Sequence, residues 1–317
     1  MSLAPWHQET WSKLAERRTR ERLPHALLLC GPAGLGKRAF ADAFAAALLC
    51  QNLRVDGAAC GECRACRLVQ AGSHPDLVRV NLELRDDGKP RTEIIVDQIR
   101  GLGERLALTP QFGGHQIAQI DPADAMNISA SNALLKTLEE PTPATVIVLL
   151  ADQPSRLPAT IRSRCQRIEF RVPPLAQALE WLIRQGVDAQ SAAAALDAGA
   201  GNPGLALSWT RSGGLATREE VARDLRGLWS GKASMVEVAN RWSKSDPEPR
   251  LWFAAMLMQG EARAQARGAA GPLALTSRTD LPKLSAWFER ANQARVQLRG
   301  PLRPELVVLE ALSALTA

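Results

Sequence analysis

The segment Ala26–Cys30, with the sequence ALLLC, runs directly into Gly31-Pro32-Ala33-Gly34-Leu35-Gly36-Lys37-Arg38 and then into an alanine-rich stretch up to Leu49. Nothing else in the chain narrows the fold as sharply. A short apolar run halted by Gly-Pro reads as a buried strand, and the stretch from 37 to 49 reads as a helix. Strand, glycine-rich turn and helix in this order make a phosphate-binding loop. The glycines let backbone N–H groups turn inward onto phosphate oxygens, the helix N-terminus adds its positive end, and the lysine reaches the outer phosphates. Gly31, Gly36 and Lys37 meet the spacing G-x-x-x-x-G-K, with Gly34 inside it.

The loop is defective at its last position. An active loop carries Ser or Thr after the lysine, because the hydroxyl ligates the magnesium that bridges the phosphates. Arg38 stands there instead, and would place a second cation where the metal belongs. The strand Ile117-Ala118-Gln119-Ile120-Asp121 supplies the expected metal-orienting aspartate at its end. The next residue, where an active ATPase of this kind carries a glutamate to polarise water, is Pro122. Hydrolysis is not expected. The loop reads as retained for the strand-to-helix turn, with residual nucleotide binding as the alternative.

Further short apolar runs at Leu77–Val80, Ile117–Ile120, Val146–Leu150 and Arg167–Val172 predict four more strands. Helical stretches at Glu93–Leu106 and Ser129–Glu140 lie between them. Strands alternating with helices indicate a parallel sheet covered on both faces. After Pro173-Pro174 the strand signal stops. Residues 175 to about 210 predict a small helical unit, and Gly213-Gly214 reads as a hinge. Thr217 with Glu220, and Ser234 with Glu237, have capping-box spacing. Leu251–Met258 is apolar almost all round and predicts a buried helix, residues 267 to 278 a loop, and Asp280–Leu298 and Pro304–Leu315 two more helices. Trp229, Trp242, Trp252 and Trp287 are expected mostly in the core.

Cys50, Cys60, Cys63 and Cys66 are four of six cysteines and form C-x9-C-x2-C-x2-C. Two-residue gaps bring successive thiolates around one ion, and Cys50 completes the set from the end of the preceding helix. Four thiolates favour a closed, structural Zn2+ site, with an iron–sulfur cluster as the alternative. Cys30 and Cys165 read as packing residues. The formal charge of +6 fits work near polyanions. No apolar run approaches the roughly 20 residues of a membrane span, and the start Met1-Ser2-Leu3-Ala4-Pro5-Trp6 has no secretory pattern, so a cytoplasmic protein with no membrane partner is expected.

Three further segments carry a resemblance. Ser131-Asn132-Ala133-Leu134-Leu135-Lys136-Thr137-Leu138-Glu139-Glu140-Pro141, Leu157-Pro158-Ala159-Thr160-Ile161-Arg162-Ser163-Arg164-Cys165 and Pro24-His25-Ala26-Leu27-Leu28 resemble bacterial clamp-loader subunits of the DNA polymerase III holoenzyme. With the phosphate loop they cover most of residues 20 to 170. The resemblance implies an α/β P-loop (AAA+) domain over 1–172 with a zinc-binding insertion at 50–66, a small helical lid domain over 173–210, and a C-terminal all-α oligomerisation bundle over 211–317. It implies a place in a five-subunit ring with the motor subunits tau and gamma and the delta subunit, acting on the sliding clamp and primer-template DNA. The defects at Arg38 and Pro122 match the ring member that is no motor. Gly201-Asn202-Pro203-Gly204 has no arginine where active members place one against nucleotide.

The resemblance also gives Arg164 a role. Charge builds up on a phosphoryl group in transfer, and an arginine supplied by a neighbouring subunit neutralises it. Arg164 is expected to be that finger, acting in trans, with Arg162 a decoy at the interface. Spacing alone suggests instead a surface arginine paired with a local acid such as Glu169. The chain is thus expected to be no enzyme by itself but part of a DNA-directed DNA polymerase (nucleotidyltransferase) holoenzyme. The alternatives are an active motor ATPase and a zinc-containing DNA-binding repair protein.

Overall fold

Leu27 and Leu29 face one way from the first strand, and Ala26, Leu28 and Cys30 the other, yet all five are buried. This is what a strand covered on both faces requires, and it explains why ALLLC shows no polar alternation. The computed structural model describes residues 3–84, 88–89, 91–275, 281–298, 300 and 302–314. They divide into two compact units, Met1–Gln177 and Ala178–Ala317.

The first unit runs α1 (Gln8–Thr19), β1 (Ala26–Cys30), α2 (Lys37–Leu49), α3 (Arg64–Gln70), β2 (Leu77–Asn81), α4 (Val96–Leu106), β3 (Gln116–Asp121), α5 (Ile128–Glu139), β4 (Thr145–Ala151), α6 (Ala159–Arg162) and β5 (Gln166–Glu169). The five strands form one parallel sheet in the order β2-β3-β4-β1-β5. One face packs Ile99, Leu102 and Leu106 of α4, Leu134 and Leu138 of α5, and Ile161 of α6 against Leu28, Ile147 and Leu149. The other packs Trp11 and Leu14 of α1, and Phe40 and Phe44 of α2, against Leu27, Leu29, Val146 and Val148. The last expected strand is shorter than its Arg167–Val172 pattern. β5 is an edge strand whose one partner, β1, ends at Cys30 opposite Glu169, so its ladder stops there.

The second unit contains most of α7 (Leu175–Arg184), then α8 (Ala189–Ala198), α9 (Pro203–Ser212), α10 (Gly214–Trp229), α11 (Met235–Lys244), α12 (Pro247–Ala266), α13 (Leu281–Gln297) and α14 (Pro304–Ser313). Ala178, Leu182, Ala192, Ala195, Leu196 and Ala206 gather into a small apolar cluster. A larger one is built around Trp242, Phe253 and Trp287. Residues 251–258 lie inside α12 with all but Trp252 and Met256 buried. Trp242 and Trp287 are in the core, whereas Trp252 is partly buried beside it and Trp229 half-buried.

Three local expectations change. Gly213-Gly214 is a tight corner rather than a hinge. Gly213 has φ +75° at the end of α9, and a Cβ on Gly214 would stand 2.8 Å from the Trp209 side chain. Because α10 begins at Gly214, Thr217 and Glu220 lie within it and cap nothing; Glu220 instead pairs with Arg250 at 2.8 Å. Ser234 does precede α11 but makes no side-chain cap bond. Residues 276–278 of the expected loop, Asp280 and Leu315 lie outside the described residues.

Candidate functional site

In a parallel sheet the carboxyl ends of the strands share one edge, and the loops beyond it collect the chemistry. Here the loop after β1, Asp121 at the end of β3 and Asp152 just beyond β4 meet. Gly31 has φ +139°, and a Cβ there would lie 2.1 Å from the Phe170 carbonyl oxygen, so no side chain fits. Gly36, at φ +83°, has the His7 ring where its Cβ would be, 2.9 Å from Cε1. Gly34, also at positive φ, completes the turn.

The phosphate loop is filled by its own cations. Lys37 is buried, with 2 % of its side chain exposed, and its Nζ lies 2.6 Å from Asp152 Oδ1. The same nitrogen donates to the Gly31 carbonyl at 2.6 Å and the Pro32 carbonyl at 2.8 Å. Two of the three ammonium N–H donors thus go to the loop's own carbonyls, and the charge is paired with Asp152 rather than left for a phosphate. Arg38 grips Asp121 as a fork, Nε to Oδ2 at 2.6 Å and Nη2 to Oδ1 at 2.8 Å. Its Nη2 also stands 3.8 Å from Asp152 Oδ2. The Asp121 hydrogen bonds, aided by the charges of Asp152 and Asp124, raise the Arg38 pKa further. A guanidinium therefore occupies the carboxylate that would orient a metal.

Two of these features are not written in any motif. Asp152 follows β4 in a plain Ala-Asp-Gln turn, held by Gln153 N–H donating to the buried Asp124 at 2.7 Å. His7 precedes α1 and packs edge-on against Phe40 and Phe170, with ring separations of 5.6 and 4.9 Å respectively. Burial lowers its pKa to about 4 against a hydrogen bond with Leu35, so the ring beside the loop is neutral at neutral pH. Only the position of Asp152 at a strand's carboxyl end signals its involvement from sequence.

Arg164 sits in the turn after α6. Its Nη2 lies 2.5 Å from Glu139 Oε1, at the end of α5, and its Nη1 donates to the Thr160 carbonyl at 2.9 Å. Glu169, the local acid suggested by spacing, is engaged by Arg167 and Arg171 instead. Those two strand-edge arginines lie on either side of it in sequence, whereas Arg164 is turned toward α5. Arg162 is exposed. Cys165 is buried, its thiol pushed up to about 11 by that burial, and Cys30 is buried in β1 with Arg167 Nε donating to its Sγ at 3.2 Å. Asn202, in the glycine-rich turn at 201–204, caps α9 by accepting from Gly204 and Leu205 N–H, both at 3.2 Å.

The four cysteines converge. Their Sγ atoms all lie within 4.8 Å of one another, with Cys50 and Cys63 at 4.0 Å and Cys60 and Cys66 at 3.9 Å. Four sulfurs about 2.3 Å from one tetrahedral zinc stand about 3.8 Å apart, so this donor set fits such an ion. Backbone N–H groups are already aimed at the sulfurs, from Cys63 to Cys60 at 3.3 Å and from Cys66 to Cys63 at 3.4 Å. Burial pushes the Cys66 thiol up to about 12. Burial opposes ionisation of Cys63 too, but N–H groups of Cys66 and Gln51 bring it down to about 6. The loop is otherwise thinly held. Trp11 Nε1 donates to Asp56 O at 3.1 Å and Arg18 Nη1 to Gly57 O at 3.3 Å, while Val55 is fully exposed.

Among the described residues no helix is long and apolar enough to cross a membrane. A family model described as "DNA polymerase III, delta subunit" matches residues 6–174. The chain is 42% identical over 253 residues to DNA polymerase III subunit delta' of Pseudomonas aeruginosa, covering 78% of this chain and 74% of that protein. It is 34% identical over 294 residues to DNA polymerase III subunit delta' of Escherichia coli K12, covering 91% and 82%. A shorter likeness, 35% over 152 residues, joins 48% of this chain to 25% of DNA polymerase III subunit tau of Bacillus subtilis.

Proposed function

The chain belongs to the DNA polymerase III delta-prime family, and from that premise we propose that it is the non-catalytic clamp-loader subunit of that holoenzyme. In this reading it joins tau or gamma motor subunits and the delta subunit in a hetero-pentameric ring. It helps place the sliding clamp on primed DNA, and it lends Arg164 to the ATP site of a neighbouring motor. The α/β unit carries the interface chemistry. The helices of 173–210 act as a lid-like domain and those of 211–317 as the oligomerisation domain.

The observation that carries this reading is the saturation of the phosphate loop. Lys37, the cation that would reach a nucleotide's outer phosphates, is paired with Asp152, and Arg38, standing where a magnesium-ligating hydroxyl belongs, is held by Asp121. A nucleotide must break those pairs and still finds no hydroxyl to complete a magnesium site. The loop keeps its fold because its charges are satisfied from within. Arg164, by contrast, has 37 % of its side chain exposed and a single carboxylate partner among the described residues. An always-charged, forked donor at the surface suits stabilisation of charge on a phosphoryl group from another chain.

Cys50, Cys60, Cys63 and Cys66 would hold Zn2+. With four protein ligands it would have no open position, so it would supply cohesion to the loop and no reaction step.

The test is reconstitution of the motor and delta subunits with and without this chain, at fixed motor concentration, on primed DNA with clamp present. The expected result is no ATP turnover by the isolated chain and a several-fold higher DNA-stimulated rate in the complete assembly. Turnover by the isolated chain would instead favour a motor. Equal rates with and without it, alongside tight DNA binding by the chain alone, would favour a DNA-binding repair protein.

A further inference from the structure

The Arg164 guanidinium has a fixed orientation, and a residue 25 positions earlier in the chain helps to set it. Nη1 is tied to Thr160 O within its own turn, at 2.9 Å, and Nη2 to Glu139 Oε1 across the gap to α5, at 2.5 Å. Both supports are anchored. Leu138, next to Glu139, and Ile161, next to Thr160, are buried in the same apolar cluster beneath the sheet. The competing acid Glu169 is occupied by Arg167 and Arg171. A guanidinium has five N–H donors; the Thr160 hydrogen bond takes one and the Glu139 ion pair faces Nη2, so the others stay available for oxygens of a bound group.

We infer that Glu139 is a positioning residue for Arg164, holding the guanidinium through one terminal nitrogen while the remaining donors face a neighbour's phosphate. This rests on the reading of Arg164 as a finger acting in trans. A long side chain gains from such support because phosphoryl transfer tolerates little misplacement of the neutralising charge. Thr160 alone restrains one nitrogen and leaves the fork free to swing about it; the Glu139 contact removes that freedom. Since 50 % of the Glu139 side chain is exposed, its charge is screened and its effect on a nearby phosphate small.

The experiment uses the full-length chain in a reconstituted ring whose only competent ATP site is that of the adjoining motor, the other motor lysines being substituted. DNA-stimulated hydrolysis is measured as kcat and KM for ATP, with assembly followed by size-exclusion chromatography. Glu139→Ala is expected to lower kcat about two- to five-fold, the scale of a partly exposed ion pair, with KM and assembly unchanged. Glu139→Gln keeps an acceptor of the same shape and should restore most of the rate. In an Arg164→Ala background Glu139→Ala should add nothing. If Arg164→Ala cuts the rate but Glu139→Ala leaves or raises it, or if the two losses simply multiply, the positioning role is overturned while the finger stands. If Arg164→Ala itself has no effect, the finger reading falls and this inference with it.

Discussion

Arg164→Ala is expected to slow hydrolysis about 10³-fold at the motor site that this chain is proposed to adjoin, and to leave the proposed ring assembled. The size of the effect comes from arginine fingers in other phosphoryl-transfer systems, where supplying the guanidinium in trans is worth about 10³–10⁵ in rate. The lower end of that range is the guide here. Arg164→Lys should recover little, since an ammonium is a point charge and cannot fork two oxygens. The summed rate of an unmodified ring would fall only to what its other sites supply. The single-competent-site ring is therefore the sharper measurement, with steady-state phosphate release as the readout. The chain's own fold should be indifferent, because a partly exposed pair contributes at most about 1 kcal/mol. Unchanged phosphate release from that ring would leave the chain a purely architectural role.

The second large effect concerns the cysteine loop. Stripping the metal with a chelator, or Cys60→Ser, is expected to unfold residues 50–66 locally and lower the melting temperature of the chain by about 6–12 °C. Apparent zinc affinities of about 10–16 kcal/mol in isolated fingers set the ceiling. The loop here is one segment of a larger domain, so a loss of about 3 kcal/mol is the expected share, at about 2–4 °C per kcal/mol. The sheet should survive, because none of its buried strand residues depends on the thiolates. Limited trypsin digestion reports this directly. Arg54, Arg64 and Arg67 lie in or beside the loop and should become the first cleavage sites in the stripped protein. Identical digestion and melting before and after chelation would mean that the four thiols are packed without an ion.

Much of the fold is legible because its signals are local. ALLLC and the VIVLLA of Val146–Ala151 are unbroken apolar runs that suit only strands buried on both faces. The Gly31–Lys37 spacing fixes the turn between the first of these strands and α2, and the cysteine spacing announces the convergence of the four sulfurs. What sequence alone does not reveal is longer in range. Lys37 and Asp152 are 115 positions apart, and Arg164 and Glu139 are brought together by α5 packing on α6. Spacing alone pointed to Glu169, a neighbour in the chain already taken by two other arginines. The capping box at Thr217 fails for a related reason. With Gly214 packed close on Trp209, α10 starts four residues early, and tertiary contact outweighs the local pattern.

The central claim is that the phosphate loop is satisfied from within and that the chain acts on a nucleotide it does not hold. Titration of the isolated chain with ATP and magnesium, followed by calorimetry, tests it most directly. A loop with free cations and a Kd of about 1 μM has about 8.2 kcal/mol of binding free energy. A nucleotide would have to displace Asp152 from Lys37, an exchange of one anion for another that gives back part of that free energy. The Arg38–Asp121 fork and the missing hydroxyl weaken binding further. No saturable binding is therefore expected below about 0.1 mM ATP. Saturable, magnesium-dependent binding in the micromolar range would contradict it, and would return the loop to the class of working nucleotide sites.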